Sequence, residues 1–323
     1  MRQNQHSYYA HYCQKPCAAL HLPLRGGAGA VSLLRTITTV LPKTVVAMLF
    51  WLLAMPTMAQ QQPRCHFEAA DSITIERLLA SGETDVLYYA RQFLGLPYVA
   101  HTLELYPDDE RLVLNTRELD CTTYVDVVVA LTLCARRGET SFWQFVQQLQ
   151  SQRYWDGVCN DYTSRIHYFS DWIRDNSRLG FVAEVQRPNP PFTAVQRVSV
   201  GYMTTHPDAY ISLVRHPEYL PAIAKQEEDL TGKTFRYIPT AKVKNTKLLR
   251  QTVHDGDIIC IVTSATGLDI AHLGIAAWHD DGLHMIHACF THKVVEEDHI
   301  CLKKYLKDRK NAEGIRIVRL NTK

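Results

Sequence analysis

Leu119-Asp120-Cys121-Thr122-Thr123-Tyr124-Val125-Asp126-Val127-Val128-Val129-Ala130-Leu131 is the stretch on which the fold turns. Its β-branched and aromatic content favours a strand. Asp120 followed by threonines instead suits the first turn of a helix, and a helix buried on every side is also apolar nearly all round. We therefore predict a buried helix beginning at Cys121. A thiol in that turn faces unpaired N–H groups and the positive end of the helix dipole, which lower its pKa and make it a nucleophile. The plain alternative for such a cysteine is a small buried apolar residue.

Working outward, Val86, Tyr89, Ala90 and Phe93 recur at helical spacing from Asp85, and Gly95 before Pro97 ends that helix. Further helical segments are expected around Thr140 to Gln152, around Thr163 to Asn176, and from Pro207 to about Asp229. From Asp257 the texture changes to short β-like runs: Ile258 to Thr263, His272 to Trp278, Leu283 to Cys289 and Ile315 to Leu320. Helices first and antiparallel strands afterwards predict an α+β fold. A single domain over 60–323 is expected, because the chemically useful groups come from both halves.

Cys121 needs a base on a facing element, and His272 on Ala271-His272-Leu273-Gly274-Ile275 is the candidate. A third polar group must orient the imidazole. If Trp278 and Leu283 pair across the turn His279 to Gly282, then Gly274 faces His287 and His272 faces Cys289. Side chains alternate in strands, so His287 becomes a diagonal neighbour of His272 on one face. Gly274 is expected to leave room there for an imidazole. His284 falls on the other face, which weighs against a zinc cluster of His272, His284 and His287. None of the seven cysteines beyond Ala59 forms a CxxC pair, so cysteine-pair zinc has no support either. Seven is odd, so in an oxidising compartment at least one thiol stays free or pairs between chains.

The 323 residues carry a formal charge of +2, which hides an asymmetry. Met1 to Ala59 hold five Lys/Arg and no Asp or Glu, while the remaining 264 residues hold 30 basic and 33 acidic side chains. The body lacks the basic surplus of a nucleic-acid binder. The basic flank, the short apolar run Thr44 to Met55 and small residues at Thr57 and Ala59 read as a signal or leader segment over 1–59, cut after Ala59. Twelve apolar residues are short for a span, so no stable membrane span is expected after removal. The protein is expected to be exported, to a periplasm. A transit peptide, a buried helix or a retained anchor are the alternatives.

Leu94-Gly95-Leu96-Pro97-Tyr98, Leu119-Asp120-Cys121-Thr122-Thr123-Tyr124-Val125, Gly256-Asp257-Ile258, His272-Leu273-Gly274-Ile275 and Ile286-His287-Ala288 resemble, in order and content, the motifs of NlpC-type cell-wall peptidases. Those belong to the papain-like cysteine peptidase superfamily. The resemblance implies a papain-like fold with Cys121 as nucleophile at a helix N-terminus packed on an antiparallel sheet, His272 as base and His287 as its orienting partner. Two departures stand out: Thr122-Thr123 replaces the usual Ser-Gly, and 151 positions separate Cys121 from His272. The long interval implies a large helical insertion at about 140–250. It contains Tyr162-Thr163-Ser164-Arg165-Ile166-His167-Tyr168-Phe169-Ser170-Asp171-Trp172, which with the cysteine motif resembles the N-acetylmuramoyl-L-alanine-amidase-like branch.

That branch implies cleavage of the amide between the lactyl group of muramic acid and L-alanine, in peptidoglycan or muropeptides. A γ-D-glutamyl endopeptidase with the same triad, a non-catalytic murein-binding module and a metal-dependent hydrolase are the competing readings. A thiol mechanism requires no metal or other cofactor. For the substrate groove the candidates are Tyr98, Asp120, Arg165 and Tyr168. Arg165 offers a bidentate fork for a peptide carboxylate, and the aromatic faces suit sugar or peptide stacking. A surface ion pair for Arg165 and half-buried packing for the tyrosines are the plain alternatives, and Trp172 is expected in the core.

Overall fold

The computed structural model describes residues 63–322, so the leader expected over 1–59 and its cleavage point lie outside the described residues. Five helices occupy the first half: α1 (Ala69–Leu79), α2 (Val86–Arg91), α3 (Cys121–Arg136), α4 (Phe142–Arg153) and α5 (Phe169–Arg178). The stretch is helical from Cys121, as expected, and Asp120 caps it. The Asp120 carboxylate accepts the Thr123 backbone N–H at 2.8 Å, while the Thr123 hydroxyl accepts the Asp120 N–H at 2.9 Å. Every residue from Thr123 to Cys134 is buried. Strand preference costs a β-branched residue in a helix at most about 0.7 kcal/mol. Burying a Val or Leu side chain is worth about 1.5–3 kcal/mol, so packing decides the conformation.

A short parallel pair, β1 (Cys65–His66) and β2 (Leu112–Val113), precedes α3. The main sheet is built from β3 (Val182–Val185), β4 (Ala194–Arg197), β5 (Thr234–Pro239), β6 (Ile258–Thr263), β7 (Ile270–Trp278), β8 (Leu283–Cys289), β9 (Val294–Glu297) and β10 (Ala312–Leu320). Its order is β4-β5-β10-β6-β7-β8-β9, with β3 also on β10, and the pairings are antiparallel. The four strands expected beyond Asp257 are all present. The segment 140–250, expected to be helical, also supplies β3, β4 and β5 to this sheet. Those strands are only four to six residues long, too short for alternation to declare them.

Alternation gives the sheet two covered faces. Cys260, Ile275, Ala277, Ile286 and Ala288 pack towards α2 and α3, while Ile259, Ile261, Ala276 and Met285 meet Leu302, Tyr305 and Leu306 of a later helix. The inserted segment builds its own small core from Tyr162, Tyr168, Met203, Leu213 and Ile223. Two expected helices there are interrupted. The piece from Thr163 is a single 3-10 turn, Tyr162–Ser164, then extended chain in which Arg165 bridges to Tyr154, and α5 starts only at Phe169. The piece from Pro207, which follows a short α6 (Tyr202–Thr205), divides into a 3-10 turn at Pro207–Ala209, α7 (Ile211–Arg215) and α8 (Leu220–Leu230), with Pro217 between the last two. Two further helices complete the fold, α9 (Lys247–Thr252) and α10 (Leu302–Lys307). None of the described helices is long and apolar enough to cross a membrane.

Candidate active site

The first residue of α3, Cys121, and the base candidate on β7, His272, line the same two cavities, of about 250 and 390 Å³. Both side chains are half-buried. The hairpin register is the one the sequence predicts, with Trp278 opposite Leu283 and Ile275 opposite Ile286. One face therefore carries His272 and His287, and His272 Nε2 lies 2.7 Å from His287 Nδ1. The two rings meet edge to face with centroids 4.9 Å apart. Gly274 serves a different purpose from the one expected. A Cβ there would lie 2.3 Å from Met285 Cγ and 2.9 Å from the Ile286 carbonyl, so the missing side chain admits Met285, not an imidazole.

Behind His287 stand groups that the sequence reading missed. Its ring is fully buried, with Nε2 3.7 Å from an Asp298 carboxylate oxygen and 3.9 Å from one of Glu296. Burial works against ionisation of Asp298, but the neighbouring His287 ring and the Ile300 N–H outweigh it and hold the carboxyl below its usual range. Glu296 faces His287 directly across the β8–β9 pair. The signal for β9 was Val294-Val295 following the Thr291-His292-Lys293 turn, and registering it on β8 would have found Glu296. On the other side, the Tyr305 ring stacks within 6.3 Å of His272.

The thiol is not the activated group that the helix terminus alone predicts. Burial and the adjacent Asp120 carboxylate push Cys121 up to about 12, against the Thr122 hydroxyl and the Leu273 backbone N–H. His272 is displaced well below its ordinary value by burial, then by His287 and Arg309. Both effects favour an uncharged thiol beside an uncharged imidazole.

The four substrate-groove candidates separate. Tyr98 lines the larger cavity with Cys121 and His272, and its ring meets Phe290 edge to face at 5.6 Å. Burial and the nearby Cys121 and Asp120 push its hydroxyl up to about 12. Tyr168 lines the smaller cavity, but its hydroxyl is committed, donating to Glu227 at 2.6 Å and accepting the Tyr202 N–H. Asp120 commits one carboxylate oxygen, Oδ1, to the helix cap. Arg165 is away from both cavity walls and buried; its fork grips Glu110 at 2.8 and 3.0 Å, with Glu104 at 2.6 Å. It holds the insertion to the loop before β2 and has no free face for a substrate carboxylate. Phe290 was not anticipated. It is 62% exposed at the rim of the larger cavity, with the Lys293 ammonium 3.5 Å over its ring.

Trp172 is buried as expected and donates its indole N–H to Asp126 at 3.1 Å. All seven described cysteines are free thiols.

A family model described as AmiA-like, N-acetylmuramoyl-L-alanine amidase-like, matches residues 88–315. Among solved structures, an N-acetylmuramoyl-L-alanine amidase from Bacteroides uniformis is 40% identical, with 75% of this chain and 99% of that one covered and a TM-score of 0.68. A Bacteroides fragilis protein named as a xylanase candidate is 38% identical over 72% of this chain and 99% of its own, with a TM-score of 0.67. A Legionella pneumophila protein shares the fold at 20% identity, with 77% and 94% covered and a TM-score of 0.60. No curated protein matches the chain. With its cysteine helix, its inserted segment and its histidine hairpin all inside the matched region, the chain belongs to the N-acetylmuramoyl-L-alanine amidase-like family.

Proposed function

We propose that the protein is a cysteine amidase that hydrolyses the amide between the lactyl carbonyl of N-acetylmuramic acid and L-alanine in murein or muropeptides. The observation that carries this reading is the 2.7 Å contact between His272 and His287 beside cavities that Cys121 also lines. Family membership supplies the bond. We read the fold as a papain-like, NlpC-type scaffold on the same grounds, and the 1–59 leader as the export signal that brings the enzyme to periplasmic murein.

With Nε2 held by His287, the nitrogen of His272 left for catalysis is Nδ1. It takes the proton of Cys121 as the sulfur attacks the lactyl carbonyl, because a thiol with so high a pKa is nucleophilic only as its proton leaves. The oxyanion meets the Cys121 backbone N–H in the first turn of α3. His272 passes its proton to the departing alanine nitrogen, leaving a thioester between Cys121 and the lactyl group. Water then attacks the thioester, His272 takes one of its protons, and the lactyl carboxylic acid departs as that proton returns to sulfur. His287, backed by Asp298, holds the His272 ring and eases its transient charge. Tyr98 and Phe290 form an aromatic wall for sugar or stem peptide.

A glycosidase needs two carboxyl groups flanking the scissile bond. Asp269 is the single carboxylate on the two cavity walls, and it accepts the Ser170 N–H at 2.7 Å. That arrangement speaks for amide chemistry over xylan cleavage. Mass spectrometry of a defined disaccharide-peptide, incubated with the protein and with Cys121→Ala, tests the proposal. Release of intact stem peptide by the wild type alone supports it. Cleavage further along the peptide would move the assignment to the γ-D-glutamyl endopeptidases.

A further inference from the structure

We propose that the protein carries a zinc site formed by His287, Cys289 and Glu296, and that filling it silences the catalytic base. Strand alternation puts His287 and Cys289 on one side of β8, and the β8–β9 pairing sets Glu296 directly across from His287. One nitrogen, one sulfur and one carboxylate oxygen thereby lie within 4.8 Å of one another. A contraction of roughly 1 Å brings such a set to tetrahedral zinc distances.

The observation that points to a cation is at His287. Its ring is fully buried, Nδ1 is engaged by His272, and Nε2 has no hydrogen-bond partner. The nearest acceptors, on Asp298 and Glu296 at 3.7 and 3.9 Å, are beyond hydrogen-bond reach. A buried imidazole nitrogen facing a thiol and two carboxylates is a coordination site in all but the ion. Mixed nitrogen, sulfur and oxygen donors suit zinc, whereas magnesium and calcium take oxygen sets. A cavity of about 530 Å³ lined by Cys289, His292 and Asp298 gives access, and His292 Nδ1, 2.6 Å from Glu296 Oε1, holds that carboxylate in place. The group His279, Asp281 and His284 differs, since His279 Nε2 and both ring nitrogens of His284 already bond Glu297, Asp281 and the Asp298 carbonyl, and His279 is exposed.

Occupancy has a consequence for the proton on His272. In the catalytic arrangement His272 Nε2–H donates to His287 Nδ1, which leaves His272 Nδ1 bare to accept the thiol proton. Zinc takes the lone pair of His287 Nε2, so the one proton of that neutral ring must sit on Nδ1 and point at His272. His272 Nε2 then accepts, and its own proton moves to Nδ1, where it blocks uptake from Cys121. Each ring keeps one proton, and Cys289 gives up its thiol proton to solvent. The site itself stands on geometry; only the silencing rests on His272 as the base.

The test begins with the Cys121→Ala variant, in which the catalytic thiol cannot ligate. One equivalent of Co2+ is expected to give a thiolate-to-metal charge-transfer band that Zn2+ displaces, and adding Cys289→Ser should remove it. Glu296→Gln should keep the band with affinity weakened roughly tenfold or more. No band in Cys121→Ala, or a band that survives Cys289→Ser, overturns the site without reference to turnover. For the silencing, the zinc concentration that halves amidase activity should rise about tenfold or more in Cys289→Ser, a variant that keeps its metal-free turnover. Full turnover of the zinc-loaded wild type overturns that part alone.

Discussion

His272 Nε2 and His287 Nδ1 stand 2.7 Å apart, so one proton lies between two imidazoles and its owner decides which nitrogen of His272 is free to act. Removing either ring has a different consequence. His272→Ala removes the proposed base and is expected to lower kcat by about 10²–10⁴. His287→Ala leaves a base that has lost its orientation and its hydrogen-bond acceptor, so the fall should be smaller, with KM nearly unchanged. His287→Gln, which keeps a polar partner for Nε2, should recover part of the loss. Full activity in His272→Ala would end the assignment.

The thiol makes a prediction opposite to that of a preformed ion pair. Burial and Asp120 hold Cys121 up at about 12, so its alkylation by iodoacetamide should be slow at pH 8 and still rising above pH 9. Asp120→Asn keeps an acceptor for the helix cap, at a stability cost well under about 1 kcal/mol, and removes the charge. Alkylation of Cys121, followed by peptide mapping because other thiols are present, should then quicken at the same pH. A reactivity plateau below pH 8 in the wild type would mean that the thiolate exists before substrate binds.

How much of this was readable beforehand depended on how local the signal was. The α3 start needed only Asp120 and Thr123, three residues apart, and the histidine pair needed only a four-residue turn and the parity of two strands. Both are short-range geometry. Arg165 was misread because its partners, Glu104 and Glu110, lie 61 and 55 residues earlier in irregular chain. The thiol was misread because helix position is local, whereas burial belongs to the assembled sheet. Asp298 and Glu296 were invisible until β9, only four residues long, had been paired.

Phe290 is the exposed aromatic at the cleft, held edge to face by Tyr98 and placed on the wall of the cavity that Cys121 and His272 also line. If sugar or peptide stacks on it, Phe290→Ala should raise KM several-fold while leaving kcat and thermal stability close to wild type. Steady-state kinetics on one muropeptide read this directly. A fall in kcat at constant KM would instead tie the residue to the reacting atoms.

Arg165 is the ion-pair hub of the insertion, not a substrate clamp. Its side chain and that of Glu110 are both under a tenth exposed, so Arg165→Ala leaves a buried carboxylate without its counter-charge. Breaking one side of such a pair costs about 3–5 kcal/mol, enough to lower Tm by several degrees. The activity of the folded fraction, with KM measured below the transition, should stay near wild type. A raised KM at unchanged Tm would restore the clamp.

His167 lends the fold an acid limb. The ring is half-buried on the wall of the smaller cavity, and burial together with the Arg165 guanidinium pushes it down to about 3. In the unfolded chain it titrates near 6.5. Between those values the unfolded state binds a proton that the folded state refuses, so stability falls as pH drops from about 6.5 towards about 3 and levels off below. The slope from this group is at most about 1.4 kcal/mol per pH unit, reduced by whatever solvent reaches the ring. His167→Gln can still donate to the Tyr162 carbonyl that His167 Nε2 meets at 2.9 Å, and it has nothing to protonate. Chemical denaturation at pH 7 and pH 5 should therefore show a smaller stability loss in the variant than in the wild type. Equal losses would mean that the ring takes up its proton in the folded protein near its ordinary pKa.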